Sequence, residues 1–230
     1  MWWNFVKLTM ISIIIPTLNE EKYILKALQS LQEFKRNKLI EIIVVDGFST
    51  DNTKLIAKKF CNKVITEKVG RANQLNTGAA LARYDLLLFL HADTIISSDN
   101  ISELLRKYET IKWGFFNLNF YPNNYRFSFL SYCINLRSKL FKYGTGDQCL
   151  FVKRKLFNQI HGFGCLNLME DIDLSRKLLK IIYPNIMEST VYTSARKWIV
   201  YGYLRTIIKM RLIRLLYHLG ISTKYLEKIY

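Results

Sequence analysis

The sequence predicts an α/β fold with a mostly parallel sheet, and three observations carry that expectation. Two β-branched runs, residues 11–15 and 42–45, are apolar apart from Ser12, as strands covered on both faces are, and they end at Pro16 and at Asp46-Gly47. Between them Ile24, Leu28 and Leu31, with Ala27 and Phe34 beside them, repeat at helical spacing, and Glu20 and Glu21 stand where a helix N-terminus favours carboxylates. The same grammar then recurs, predicting a helix over 51–59, a short strand over 63–66, a helix over 72–82 and a strand over 85–90 that is apolar after Asp85.

After Asp93 the pattern becomes mixed. Residues 97–99 can cap a helix over 101–108, while Phe116, Leu118 and Phe120 alternate with Asn117 and Asn119 as a half-exposed strand does. Residues 127–141 read as a helix, 148–152 as a strand, 172–180 as a helix and 185–193 as a strand. No repeat or low-complexity segment divides the chain. One domain over 10–197 is expected, with halves at 10–95 and 96–197, an N-terminal extension over 1–9 and a C-terminal helical segment over 198–230.

Composition narrows the class. The chain has 230 residues, half of them hydrophobic, with 23% charged and 14% aromatic, which excludes a disordered chain and suits one domain with a sizeable core. Four cysteines in no C-x-x-C pair suggest reduced thiols and a cytoplasmic location. No apolar run approaches the ~20 residues that span a bilayer. The net charge of +16 points to a phosphorylated ligand, an anionic membrane surface or nucleic acid. Eight basic residues against Glu227 alone fall within 196–230. There Leu204, Ile208, Leu212, Leu215 and Leu219 form one apolar stripe, with Arg211, Arg214 and His218 on a separate arc. Such a helix can pack on the domain, mediate dimerisation or lie on the inner face of a membrane.

In open parallel sheets ligands bind beyond the carboxyl ends of strands. Four polar segments occupy that position: residues 16–21, 46–51, the helix start at 70–74, and His91-Ala92-Asp93-Thr94. Together with Asn76-Thr77-Gly78 and Glu170-Asp171, their order and spacing resemble the inverting glycosyltransferases of family 2, which have the GT-A fold. Gly146-Asp147-Gln148, Met169-Glu170-Asp171-Ile172-Asp173-Leu174, Thr193-Ser194-Ala195-Arg196-Lys197-Trp198 and the ending Tyr217-His218-Leu219-Gly220-Ile221 are similar to a compact subgroup encoded near radical-SAM proteins and associated with arsenosugar biosynthesis.

That resemblance implies a nucleotide-sugar donor, UDP- or GDP-linked, and a hydroxyl acceptor that is a small molecule or lipid-linked. Pro16, Thr17, Asn19, Glu20, Asp46, Arg71, His91, Ala92 and Asp93 would line the donor site, with Asp46 accepting from the base and Asp93 holding a divalent Mg²⁺ or Mn²⁺ ion. The family pattern is Asp-x-Asp; its first position here is His91, which would meet the ribose or a metal-bound water. Asp171 would be the general base, with Glu170 beside it. Gly146, Asp147, Gln148, Arg196 and Trp198 would face the acceptor. Asp51 reads equally as a ligand contact or a helix cap.

Other classes stay open at this point. A nucleotidyltransferase would carry a glycine-rich basic loop after the first strand, where this chain has Pro16-Thr17-Leu18-Asn19-Glu20-Glu21. A catalytically degenerate protein that binds nucleic acid or a membrane surface accounts for the charge, but no nucleic-acid motif accompanies it and carboxylates crowd the expected cleft, so no nucleic-acid partner is expected.

Overall fold

A computed structural model describes residues 10–230; the extension expected over 1–9 lies outside the described residues. Eight strands form one sheet: β1 (Ile11–Thr17), β2 (Ile40–Asp46), β3 (Lys63–Thr66), β4 (Leu86–Phe89), β5 (Thr94–Ile95), β6 (Trp113–Tyr121), β7 (Phe151–Lys153) and β8 (Asn185–Ser194). Their order is β3-β2-β1-β4-β7-β6-β8-β5. The first four run parallel, β7 is antiparallel to both β4 and β6, β8 returns parallel to β6, and β5 closes the edge antiparallel.

Every residue of β1 and β2 is buried because helices cover both faces. Ile13, Ile15, Ile42 and Val44 face one core, which receives α1 (Ile24–Ser30), α2 (Gln32–Arg36), α3 (Thr53–Phe60), α5 (Ser98–Arg106) and α6 (Tyr125–Phe141). Ile14, Leu87 and Phe89 face the other, with α4 (Arg71–Leu81), α7 (Arg154–Gln159) and α8 (Glu170–Leu179). Gly78 lets α4 lie directly on the sheet, since a Cβ there would collide with Ile14 and sit 3.1 Å from Val45. A third cluster, with Met169, Ile172, Ile213 and Leu226, fastens α10 (Tyr203–His218) and α11 (Thr223–Ile229) to the start of α8; α9 (Arg196–Val200) precedes them.

The structure differs from expectation in four places. The single helix expected through Phe34 breaks at Leu31, where Ser30 Oγ donates to the Ala27 carbonyl and Gln32 Nε2 to that of Leu28, competing with the helical ladder. Glu20 and Glu21 do not charge its N-terminus: no acid lies in the first turn, and both are bonded elsewhere. The strand expected over 148–152 begins only at Phe151, because Gln148 ends a 3₁₀ turn and Cys149 is left-handed (φ 51). The alternation expected around Phe116 does hold: Phe116, Leu118 and Phe120 are buried and Asn117 and Asn119 partly exposed, in a strand that lies inside the sheet. The C-terminal segment is three helices, and the apolar stripe of α10 points away from the domain: Leu204 is 69% and Leu219 70% exposed, while Thr206 and Ile213 on the opposite side are buried.

Glu103 ties α5 to β8. Its carboxylate accepts from Lys107 Nζ at 2.7 Å, Ser189 Oγ at 2.6 Å, and the amides of Ser189 at 3.0 Å and Glu188 at 3.1 Å. Burial opposes its charge, but these bonds prevail and hold it at about 2, against an ordinary 4.5. Glu103→Gln is expected to lower stability by roughly 2–3 kcal/mol in urea unfolding at neutral pH. A depressed carboxylate stabilises above its unfolded value and stops doing so as pH falls through its folded one, so the gap from wild type should close between 4.5 and about 2.

Candidate active site

The carboxyl ends of β1 and β4 open into a cleft of about 1250 Å³, closed by the turn before β7, the start of α8, and α9 to α11. From the donor half Pro16, Thr17, Glu20, Arg71, His91, Ala92 and Asp93 line it; from the acceptor half Asp147, Glu170, Asp171, Arg196 and Trp198 do. Side chains far apart in sequence thus meet in one space.

Arg196, at the start of α9, joins the two halves. It makes a two-pronged pair with Glu20, at 2.6 and 2.7 Å, and its Nε lies 3.2 Å from Asp93 Oδ2. Burial opposes its charge, yet these two carboxylates hold it above its usual value. Asp93 is pushed up by burial, against the pull of His91 and Arg196, and Tyr121 Oη donates to its backbone carbonyl. His91 Nδ1 meets Asp147 Oδ1 at 3.1 Å. Despite burial, that contact raises the His91 imidazole and draws Asp147 down to about 2. Gly146 is required beside it, since a Cβ there would collide with the His91 ring.

Asp171 is held by the backbone. Its Oδ2 accepts the Gly146 N–H and its Oδ1 the Ile172 N–H, both at 2.7 Å, so the start of α8 and the 3₁₀ turn orient one carboxylate between them. Next to it Glu170 is buried, with burial raising its affinity for a proton, and pairs with Arg71 Nη1 at 3.0 Å. Met169 enters α8 left-handed (φ 66), which turns both acids into the cleft. Trp198 packs edge-on against Phe120 and still lines the wall.

Four expected contact residues do not line the cleft; Gly146 is one, its amide holding Asp171 instead, and the other three are polar. Asp46 is fully buried, and its oxygens accept from Thr17 Oγ1, Ser49 Oγ and the Ser49 amide; it holds Thr17 in place instead of meeting a base. Asn19 Oδ1 accepts the Thr50 amide, tying two loops. Gln148 is fully buried, its Oε1 accepting from Ser138 Oγ at 2.8 Å and its Nε2 donating to the Phe116 carbonyl. In each case a short polar side chain beside a turn satisfies backbone or hydroxyl groups that burial would otherwise orphan. Asp51 caps α3, taking the Thr53 amide at 3.0 Å.

The cleft also holds cations to which the sequence reading gave no site role: Lys197, Arg137, Arg176 and Arg214. Burial draws the Lys197 ammonium down to about 8. Arg214 was noted only as part of a helical arc; Lys197 adjoins Arg196, a neighbourhood that could have flagged it. Among the described residues no group of three His, Cys, Asp or Glu side chains could hold a metal. The donor set is a single carboxylate, Asp93, which fits a hard divalent ion bound through that oxygen and the phosphates of a ligand.

A parallel nucleotide-type half sheet joined to a mixed half, with a polar cleft at the strand ends, defines the GT-A class of α/β protein. The family model described as Glycosyl transferase family 2 matches residues 12–160, and the chain belongs to that family. It is 34% identical over 101 residues to the poly(ribitol-phosphate) beta-N-acetylglucosaminyltransferase TarS of Staphylococcus aureus (strain Mu50 / ATCC 700699), covering 40% of this chain and 18% of that protein. It is 33% identical over 112 residues to a Methanococcus voltae dolichyl N-acetyl-alpha-D-glucosaminyl phosphate 3-beta-D-2,3-diacetamido-2,3-dideoxy-beta-D-glucuronosyltransferase, covering 44% of this chain and 35% of that one. These matches thus span well under two thirds of the relatives' own length.

Two solved structures share the fold. TarS 1–349 of S. aureus in complex with UDP-GlcNAc superposes with a TM-score of 0.66 at 22% identity, over 80% of this chain and 58% of that one. The mannosyltransferase PcManGT of Pyrobaculum calidifontis in complex with GDP-Man and Mn²⁺ does so with a TM-score of 0.66 at 21% identity, over 91% and 61%.

Proposed function

We propose that this chain is an inverting glycosyltransferase that moves a sugar from a UDP- or GDP-linked donor to a hydroxyl acceptor. The observation that carries the reading is Asp171: a carboxylate oriented by two backbone amides, in the same cleft as Asp93, Arg196 and Arg71. Thr17 and Glu20 border the nucleoside, with Asp46 as a positioning residue behind Thr17. Arg71, Arg196 and Lys197 line the cleft and supply positive charge to the diphosphate as it departs. The acceptor oxygen attacks the anomeric carbon, the bond from that carbon to the donor phosphate breaks, and the nucleoside diphosphate leaves with the electron pair. The hydroxyl proton passes to Asp171. A single displacement of this kind inverts the anomeric configuration. A Mg²⁺ or Mn²⁺ ion bound at Asp93 would stabilise charge on the departing diphosphate.

Calorimetric titration with UDP, GDP and their sugar conjugates, with and without Mn²⁺, tests this reading. One nucleotide is expected to bind more tightly with the ion present, and absence of binding by all of them would overturn it. The narrower likeness to the arsenosugar-associated subgroup keeps His91, Gly146 and Asp147 as part of the site, where they contact one another.

No helix among the described residues is long and apolar enough to cross a membrane. The outward stripe of α10, flanked by exposed Arg205 and Arg211, supports contact with an anionic membrane surface, the inner leaflet in a cytoplasmic protein. Ile208 is 66% exposed, so Ile208→Asp is expected to reduce sedimentation with phosphatidylglycerol vesicles while leaving the melting temperature unchanged; equal sedimentation would remove the stripe from membrane contact.

A further inference from the structure

The acceptor side of the cleft contains a charge arrangement that the donor chemistry leaves unused. Arg137 projects from α6 and Arg214 from α10, and both line the cleft near Asp171. Arg137 Nη2 donates to Ser138 Oγ at 2.9 Å, but its Nε and Nη1 are buried with no acceptor among the described residues; the buried Nε of Arg214 has none either. Neither guanidinium has a carboxylate within ion-pair distance among the described residues, whereas Arg71 and Arg196 do. Burial, and then the like charge of Arg214, lower the Arg137 guanidinium to about 10. Buried donors are ordinarily satisfied, and two half-buried like charges with no carboxylate in direct contact cost stability, Asp171 and Asp147 compensating Arg137 only from a distance. Two planar forks lining one cleft, close enough to repel each other, can together bind a phosphate.

The surroundings say what carries that phosphate. Phe129, Leu130 and Ile134 of α6 and Ile207 and Met210 of α10, on the two helices that carry Arg137 and Arg214, also line the cleft, and the Tyr143 ring centroid lies 5.1 Å from Arg137 Cζ. An anion hole bordered by apolar walls suits an amphiphile better than a free sugar.

We propose that Arg137 and Arg214 form a subsite for a phosphate group on the acceptor, with the α6 and α10 walls receiving hydrocarbon beside it. This assignment rests on the glycosyltransferase reading for the word acceptor, but the anion subsite itself does not. The phosphate belongs either to a lipid headgroup or to a soluble phosphate ester.

The test is calorimetric titration of the full chain with octyl phosphate, glycerol 3-phosphate and octanol, alongside the nucleotides. Octyl phosphate is expected to bind. In the Arg137→Met/Arg214→Met double variant its affinity should fall at least tenfold, with nucleotide affinity unchanged. Preference of the wild type for octyl phosphate over glycerol 3-phosphate by tenfold or more identifies the lipid source, and equal affinities identify the soluble ester. Octyl phosphate binding that survives in the double variant, or is matched by octanol, overturns the subsite, as does failure of both phosphates to bind.

Removing two mutually repelling guanidiniums is expected to leave the melting temperature at or above that of the wild type. Should the double variant not fold, Arg214→Lys keeps the charge and loses the fork, and must itself weaken octyl phosphate binding several-fold or the subsite falls. Phosphate binding without any nucleotide binding would overturn the transferase reading and leave the subsite standing. The converse result would do the opposite.

Discussion

Asp171→Asn is expected to lower turnover by roughly 10²- to 10⁴-fold, the range lost with a general base, while nucleotide affinity changes little. The substitution keeps shape and leaves one oxygen to accept from a backbone amide, but it presents an NH₂ group to the other amide and, being a neutral carboxamide, is not basic enough to take the acceptor proton. Single-turnover kinetics and calorimetry on the same preparation separate the two quantities. Turnover equal to wild type would remove Asp171 from the reaction. Loss of nucleotide binding in parallel would instead place it in the donor site.

Asp93→Ala is expected to abolish the tightening of nucleotide binding by Mn²⁺. The same substitution frees Arg196 from one of its two carboxylates, leaving the pair with Glu20 intact. Metal-independent nucleotide affinity should therefore hold or rise, because a cation facing the diphosphate is less neutralised. A Mn²⁺ effect of unchanged size in the variant would show that another group holds the ion.

Much of the site was legible before any coordinates. Apolar strands followed at once by polar residues pointed to one sheet edge, and Thr17, Glu20, Arg71, His91, Asp93, Glu170 and Asp171 do meet there. Asp46, Asn19 and Gln148 looked equally chemical in the sequence. Each sits beside a turn, where the same short polar side chain serves a ligand or the backbone, and only the hydrogen-bond partners tell the two apart. Arg137 lay unnoticed in a helix that reads as ordinary surface, since nothing local marks which of its nitrogens will be buried.

The C-terminal segment shows the same division from the other side. Its stripe at 204, 208, 212, 215 and 219 follows from helical periodicity alone, and α10 forms as that spacing requires. Which face meets the domain does not follow, because α10 carries apolar residues on both sides, and Ile213, not the stripe, fits the gap left by Met169, Ile172 and Leu226. Periodicity and strand-end chemistry are local properties, and the sequence by itself determined the α/β alternation and the edge where polar groups gather. The Arg196 pairings with Glu20 and Asp93, the Gly146 amide on Asp171 and the unpartnered arginines depend on long-range packing that brings segments up to 176 positions apart within hydrogen-bond reach. Those the tertiary structure alone decided, because burial and partner geometry are set by the whole chain at once.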